Sequence, residues 1–462
     1  MTILHYILGL PPVRLGGLVQ YALDLAGEQQ QLGNNVSIIV PGEYGEGITQ
    51  ITEGIWKSFK CYAIENSLPV TAGNSVKEIE KLYVVGEEEI YARFLKDIMP
   101  DIIHIHTFMG LHMAFLKAAK SLLIPVVYTT HDYFGLCFNA TLFRNDHCIC
   151  DGNWLNCNAC MGKGTSVKRI AKKQSEKYIR LKSYKVYQWL EYSPGLLPFK
   201  QNLRRFLKKT RQLGSSNNQS HYCDENGQYR DKIKKYEKLK AYYREMFGLV
   251  TYFHFNSRQS QDIYREHLGE IEGKVVYLSK RNITDRRRLY KYDGNLKLGF
   301  IAYDNPCKGF HILKAVLDEM YGEGMKDIEC HLFANYWDKM SPYIIMHRPF
   351  KNENMEQAYA NFDVLVQPSL CKETFSFTTY EAVSLGKPVI VSKNVAAKEI
   401  LEDLCIVVDT EKQSLKSELV KIYTDRSILQ KLNKAINEAE FDFDYFDHCN
   451  EMMKMYEHLK GN

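Results

Sequence analysis

Short, nearly unbroken apolar runs recur along this chain, separated by stretches with helical spacing. "TILHYILGL" opens it, Gly17 to Gln31 carries Leu18, Tyr21, Ala22 and Leu25 at helical intervals, and "NVSIIVP" follows. "DIIHIHT", a helical stretch over 110–122 and "IPVVYTTHD" continue the alternation. Strands apolar on both faces, joined by helices, predict a parallel sheet covered on each side. After the polar linker "KRNITDRRRLYKYDGN" the alternation starts again with "LKLGFIAY", a helix from Lys308, "IECHLFA", "IIMHRPF", a helix over 352–361, "FDVLVQPS", "KPVIVS" and "LCIVVD". The expected architecture is α/β: two Rossmann-like doubly wound domains, 1–284 and 292–440, facing a central cleft. Residues 441–462 read as a terminal amphipathic helix that packs back on the first domain. Open parallel sheets bind ligands beyond the carboxyl ends of their strands, so function is sought in the loops that follow strands.

The 462 residues suffice for two or three cores, and 45% apolar with 25% charged residues is ordinary globular composition. No uncharged apolar window reaches the roughly 18 residues of a membrane span. The first residues lack the basic start and small-residue cleavage site of a secretory signal, so they read as a buried strand. Twelve cysteines scattered in strand-like contexts suit a reducing cytoplasm. Net charge is +5, but residues 161–245 alone carry about +15 and the remainder about −10. That asymmetry points to a local contact with phosphate, nucleic acid or an anionic membrane.

The stretch "PSLCKETFSFTTYEAVSLGKPVIV" (368–391) follows a strand and contains Glu373 and Glu381, eight residues apart. Its spacing predicts a helix from Ser376 or Phe377 to Leu385, stopped by Gly386 and Pro388. Glu373 then lies in a strand-end loop, with the amides of Thr374, Phe375, Ser376 and Phe377 leading into the helix mouth. Free N–H groups at a helix start favour a phosphate, and the two carboxylates accept from hydroxyls. A nucleotide sugar offers that combination.

Glu, seven residues, Glu, then Ala and a Gly-x-Pro-Val strand resembles the signature of retaining GT-B glycosyltransferases of family 4, and the likeness covers most of the chain outside 165–245. The resemblance implies that Glu373 contacts the donor sugar, Thr374 to Phe377 contact sugar and phosphate, and Glu381 binds the ribose. Ser376 and Phe377 stand where the family usually has Gly and Leu. Gly16 and Gly17, in "PPVRLGG", match the opening glycine loop, whose backbone can approach a ligand. His131, in "YTTHDYFGLC", matches a histidine beside the reacting sugar that bonds a hydroxyl or the phosphate. Lys308 matches the phosphate-binding lysine, whereas Tyr303 replaces its usual arginine partner. The implied reaction is front-face transfer with retention, in which Lys308 and the helix dipole help the nucleoside diphosphate leave and no catalytic metal or other cofactor is required.

"CFNATLFRNDHCICDGNWLNCNAC" leaves three readings open: a structural zinc site through Cys137, Cys148, Cys157 and Cys160, unligated buried thiols, or a redox couple. "PFKQNLRRFLKKTRQL", with Trp189 and Tyr192 nearby, reads as a basic amphipathic helix, and 184–213 as an anionic-membrane contact beside a lipid-linked acceptor. Its apolar face packing on the first domain is the plainer alternative. No nucleic-acid module motif accompanies it. The expectation is thus a cytoplasmic glycosyltransferase, peripheral on the inner face of the membrane. It uses a nucleotide-diphosphate sugar and a glycan or lipid-linked acceptor in polysaccharide assembly. A non-catalytic glycosyltransferase-like partner subunit and a GT-B-like nucleotide-sugar epimerase are the rivals.

Overall fold

The computed structural model describes residues 1–71, 76–144, 165–183, 228–302, 305–334, 341–347, 352–441 and 443–461, together with Cys150, Cys157, Cys160 and Phe350. The segment 184–213, Cys148 and Tyr303 lie outside the described residues.

Two sheets organise the chain. The first contains β1 (Thr2–Tyr6), β2 (Asn35–Pro41), β3 (Gln50–Trp56), β4 (Phe59–Glu65), β5 (Ile102–Ile105), β6 (Val126–Thr129), β7 (Tyr252–Phe255) and β8 (Gly273–Val275), in the order β3-β4-β2-β1-β5-β6-β7-β8. The second contains β9 (Leu296–Ile301), β10 (Ile328–Phe333), β11 (Ile344–Met346), β12 (Val364–Gln367), β13 (Val389–Ser392) and β14 (Ile406–Val408), in the order β11-β10-β9-β12-β13-β14. Every pairing is parallel except β3 with β4. That hairpin corrects the expectation of a wholly parallel first sheet. Strand β3 is an exposed edge, and its Glu53 and Lys60 of β4 form an ion pair on the solvent face. Charge on an edge strand discourages pairing with another chain.

Strand order reverses beside β1 in the first sheet and beside β9 in the second. Such reversals open the crevice where ligands sit. The first leaves the loops after β1, β5 and β6 at one mouth, and the second leaves those after β9 and β12 facing them.

Three helices bear on the cleft: α1 (Gly17–Gln31), α2 (Phe377–Ser384) and α3 (Tyr445–Gly461). Helix α3 closes the chain, yet it packs on α1 in the first lobe. Tyr21 and His448 share a hydrogen bond of 2.8 Å, Tyr456 meets His104 at 2.5 Å, and Lys274–Glu451 and Lys460–Asp101 are ion pairs at 2.8 and 2.9 Å. One continuous apolar cluster therefore joins Ile3, Ala22 and Ile38 of the first lobe to Tyr359, Val383 and Tyr456 of the second half of the chain.

The helix Gln228–Phe247, at the end of the basic stretch and beyond 184–213, packs on the first lobe. Tyr236, Leu239, Tyr242, Tyr243, Met246 and Phe247 are buried in the first-lobe core, and the Tyr242 hydroxyl accepts from Met113 N and donates to Val84 O. Lys234, Lys235, Lys238 and Lys240 face solvent while one tyrosine-rich stripe supplies core, the usual amphipathic arrangement.

Candidate active site in the interlobe cleft

Lys308 and Glu373 come from the two strands at the second switch point. Lys308 ends a single 3-10 turn, Pro306–Lys308, after β9. Gly309 then adopts φ +77°, and a Cβ there would lie 1.9 Å from the Pro368 carbonyl oxygen. Only glycine allows this turn to press on the end of β12. The turn delivers Lys308 Nζ to 3.1 Å from the Glu373 carboxylate, which also accepts from the Ser369 hydroxyl. Burial opposes the Lys308 charge, but Glu373 and the neighbouring Cys371 and Cys307 thiols outweigh it and hold the ammonium above its ordinary value. The Cys371 thiol hydrogen-bonds Cys307, which lowers the Cys307 pKa and raises its own.

Helix α2 begins where the sequence places it, with Ser376 as N-cap and Gly386 at φ +77° past its end. Gly386 N and Lys387 N close the last turn on Val383 O and Ala382 O. No side chain caps the helix start. The Ser376 hydroxyl instead donates to Gln367 Oε1 at 2.6 Å, and Thr379 donates to the same oxygen at 2.7 Å. The serine that replaces the expected glycine thus turns back onto the end of β12. That leaves the helix mouth to its backbone amides, a favourable seat for an anion.

The first lobe closes on these loops. Thr374 Oγ1 donates to His131 O at 2.9 Å, and Gln259 Nε2 donates to Glu373 O at 2.7 Å and Asn394 O at 2.9 Å. The amides of Arg258 and Gln259, at the start of a first-lobe helix, both donate to the Glu399 carboxylate at 2.7 Å. Gly16 has φ +131° and Gly17 opens α1, where a Cβ would lie 3.2 Å from the Phe377 ring. The glycine pair therefore receives a side chain of the opposite lobe as well as presenting backbone to the cleft.

Residues 15–151 match the family model Glycosyltransferase Family 4, and residues 313–425 match Glycosyl transferases group 1. The chain carries the paired domains of a GT-B glycosyltransferase. Its fold is similar to that of sucrose-phosphate synthase from Thermosynechococcus elongatus, with TM-score 0.58, 13% identity and coverage of 99% of this chain and 98% of that one. Anabaena HepE, solved with UDP and glucose, gives 0.54 at 14% identity over 98% and 99% of the two chains. WaaG, a glycosyltransferase involved in lipopolysaccharide biosynthesis, gives 0.54 at 12% identity over 100% of each. A curated Klebsiella pneumoniae relative, an uncharacterized 42.6 kDa protein in a cps region, is 24% identical over 139 residues. That match spans 29% of this chain and 37% of the relative's length.

Within this GT-B frame the sequence-derived site residues fall into three groups. His131, Lys308, Glu373, Thr374, Phe375, Ser376, Phe377, Gly16 and Gly17 come together at the cleft. Phe375 is buried, edge-on to Phe377 with ring centroids 5.4 Å apart. Glu381, matched to the ribose-binding position, is engaged inside the protein. It is 5% exposed; Lys280 donates to its Oε1 and the Tyr359 hydroxyl to its Oε2, each at 2.9 Å. Lys280 also stands 4.2 Å over the Phe377 ring, beside the helix mouth. Lys280 and Tyr359 escaped the sequence reading because "YLSKRN" and "QAYANF" carry no motif; only the fold sets them on Glu381. Tyr303 is the third case, outside the described residues.

His131 and Asp132 end the run after β6. Burial drives the His131 pKa well below its ordinary value, with His254 and His448 adding to the effect, so the imidazole is neutral. Burial raises the Asp132 carboxyl to about 6, against hydrogen bonds from Phe134 N and Thr107. Among the described residues, Cys137, Cys150, Cys157 and Cys160 line one small cavity together with Phe138 and Phe143. No described helix is long and apolar enough to cross a membrane.

Proposed function

We propose that the chain transfers a sugar, with retention, from a nucleotide-diphosphate sugar to a glycan or lipid-linked acceptor in polysaccharide assembly. The observation that carries this reading is the Lys308–Glu373 pair at the second switch point, next to an uncapped helix start and opposite His131. A cation and a helix mouth suit the departing diphosphate, while a carboxylate and a neutral imidazole suit sugar hydroxyls. Front-face departure needs no protein nucleophile, because the leaving phosphate oxygen takes the acceptor proton. The HepE structure with UDP and glucose and the involvement of WaaG in lipopolysaccharide biosynthesis support a uridine-type donor and envelope glycans as first choices.

The test is to incubate the purified chain with a panel of nucleotide sugars and lipid-linked acceptors and follow nucleoside diphosphate release and product anomeric configuration by NMR. Release with a retained anomer supports the proposal, inversion refutes retention, and nucleotide-sugar binding without turnover favours a non-catalytic subunit. Liposome co-sedimentation addresses the membrane contact proposed for 184–213, which places the enzyme on the inner membrane face; binding indifferent to anionic lipid would defeat it.

We also propose a structural zinc, with Cys150 as the fourth ligand beside Cys137, Cys157 and Cys160. The four thiols surround a cavity of about 20 Å³, enough for one small ion. Burial, reinforced by the neighbouring thiols, raises Cys157 to about 12, so a zinc ion would have to displace its proton. Among the described residues no three of these sulfurs lie within 4.8 Å of one another, so the ion would draw the side chains inward. Elemental analysis decides: stoichiometric zinc lost in Cys150→Ser supports the set, and a metal-free folded protein excludes it.

A further inference from the structure

We infer that a single directed hydrogen-bond chain, running from the Val276 carbonyl through the first-lobe core to His131, holds His131 with its proton on Nε2 and a bare lone pair on Nδ1. On the glycosyltransferase reading, the substrate group seated on His131 is then a hydroxyl that donates, not a phosphate or carboxylate.

The direction follows from one fixed end. A carbonyl only accepts, so His254 Nε2–H donates to Val276 O at 2.8 Å and His254 Nδ1 is an acceptor. The Thr129 hydroxyl must donate to that Nδ1 at 2.8 Å, and so accepts from His104 Nε2–H at 2.6 Å. His104 Nδ1 in turn accepts from the Tyr456 hydroxyl at 2.5 Å. The Tyr456 proton is now used, so its oxygen needs a donor. The Gln29 amide lies beside that hydroxyl, and its buried Nε2 has no hydrogen-bond partner, so the two unmet needs fit each other. Turning NH2 to Tyr456 points Gln29 Oε1 at His5 Nε2, 2.7 Å away, which must donate. The reverse amide orientation would set two lone pairs against each other. His5 Nδ1 accepts from His106 Nε2–H at 3.1 Å, and His106 Nδ1 accepts from His131 Nε2–H at 3.1 Å.

The relay works only with neutral rings, and burial keeps His5, His104, His106, His131 and His254 neutral. The ring nitrogens of His5, His104 and His106 lie within 4.8 Å of one another, a spacing open to a metal. All six are already engaged in the relay, which accounts for the cluster without an ion. Among the described residues His131 Nδ1 has no protein partner, and the ring sits edge-on to Tyr21 with centroids 4.9 Å apart. Gln29 and Tyr456 are thus positioning residues: neither reaches the cleft, and both act through His131.

Long-range nitrogen–proton NMR of the full chain, labelled at its imidazole nitrogens, reads the tautomer without any substrate. The His131 signal is identified by its loss in His131→Gln. The expected result is one neutral tautomer with Nδ1 unprotonated. It becomes a mixture in Gln29→Leu and in Tyr456→Phe, with kcat for an active donor reduced about tenfold, the worth of one hydrogen bond. A proton on Nδ1 in the wild type overturns the inference. So does a tautomer indifferent to Tyr456→Phe in a protein of unchanged Tm. If the tautomer is as expected but no nucleotide sugar is consumed, the relay stands and the catalytic reading falls.

Discussion

Between about pH 7.5 and pH 5.5 the folded chain should lose much of its stability, because it keeps neutral several histidines that the unfolded chain protonates. Burial holds His5, His112 and His254 at about 4 and His448 at about 3. Their ordinary value is about 6.5, so below that pH the unfolded state binds more protons and stability falls with falling pH. The loss continues until the folded groups themselves protonate, near pH 4. At about pH 5.5 each such histidine costs about 1.4 kcal/mol, and these four together about 5 kcal/mol. His104, His106 and His131, depressed further, add to the slope. A typical domain has only about 5–15 kcal/mol to lose. Urea midpoints followed by tryptophan fluorescence across this range give the proton uptake on unfolding. His112 lies outside the relay and bonds the Tyr91 hydroxyl at 2.7 Å, so His112→Asn should remove about one proton from that uptake. Midpoints unchanged from about pH 7.5 to 5.5 would refute the reasoning.

Lys308→Ala leaves the Glu373 carboxylate, 8% exposed, without its cation, and transfer should drop at least about 100-fold in single-turnover assays. Gly309→Ala forces a Cβ onto the Pro368 carbonyl; Tm should fall by the equivalent of at least about 2 kcal/mol, with donor binding weakened in the same calorimetric titration. Glu381→Ala strands Lys280, itself 8% exposed, and should cost about 3–5 kcal/mol by urea unfolding. Combining it with Lys280→Met should recover stability, and nucleotide affinity should stay low if Glu381 also serves the ribose.

Where the sequence was legible, local rules and tertiary needs agreed. Helix α2 could be bounded from Ser376, Gly386 and Pro388, since its start and stop are chemical signals within a few residues of each other. The hairpin of β3 and β4 was not legible, because "QITEGIW" is almost wholly exposed and its register comes from pairing with β4. In the helix Gln228–Phe247, lysines hide a buried tyrosine stripe. The histidine relay could not be read from the sequence at all. His5 faces His104 across β1 and β5, and Thr129 faces His254 across β6 and β7, so strand order, not spacing, assembles it. The Lys280–Glu381 pair has the same origin: two residues 101 positions apart meet only after both lobes have formed.

Helix α3 has a consequence for how the protein is made. Tyr456 and His448 complete the interior of a lobe whose sheet begins at Thr2. Domains generally fold as they leave the ribosome, amino-terminal ones first. Here the first lobe emerges early but waits, with His104 and Tyr21 short of partners, until helix α3 has been made. Synthesis of the second lobe is therefore the interval during which the first is exposed to chaperones and to misfolding, and a stop codon shortly before Tyr445 would injure the lobe farthest from it in sequence.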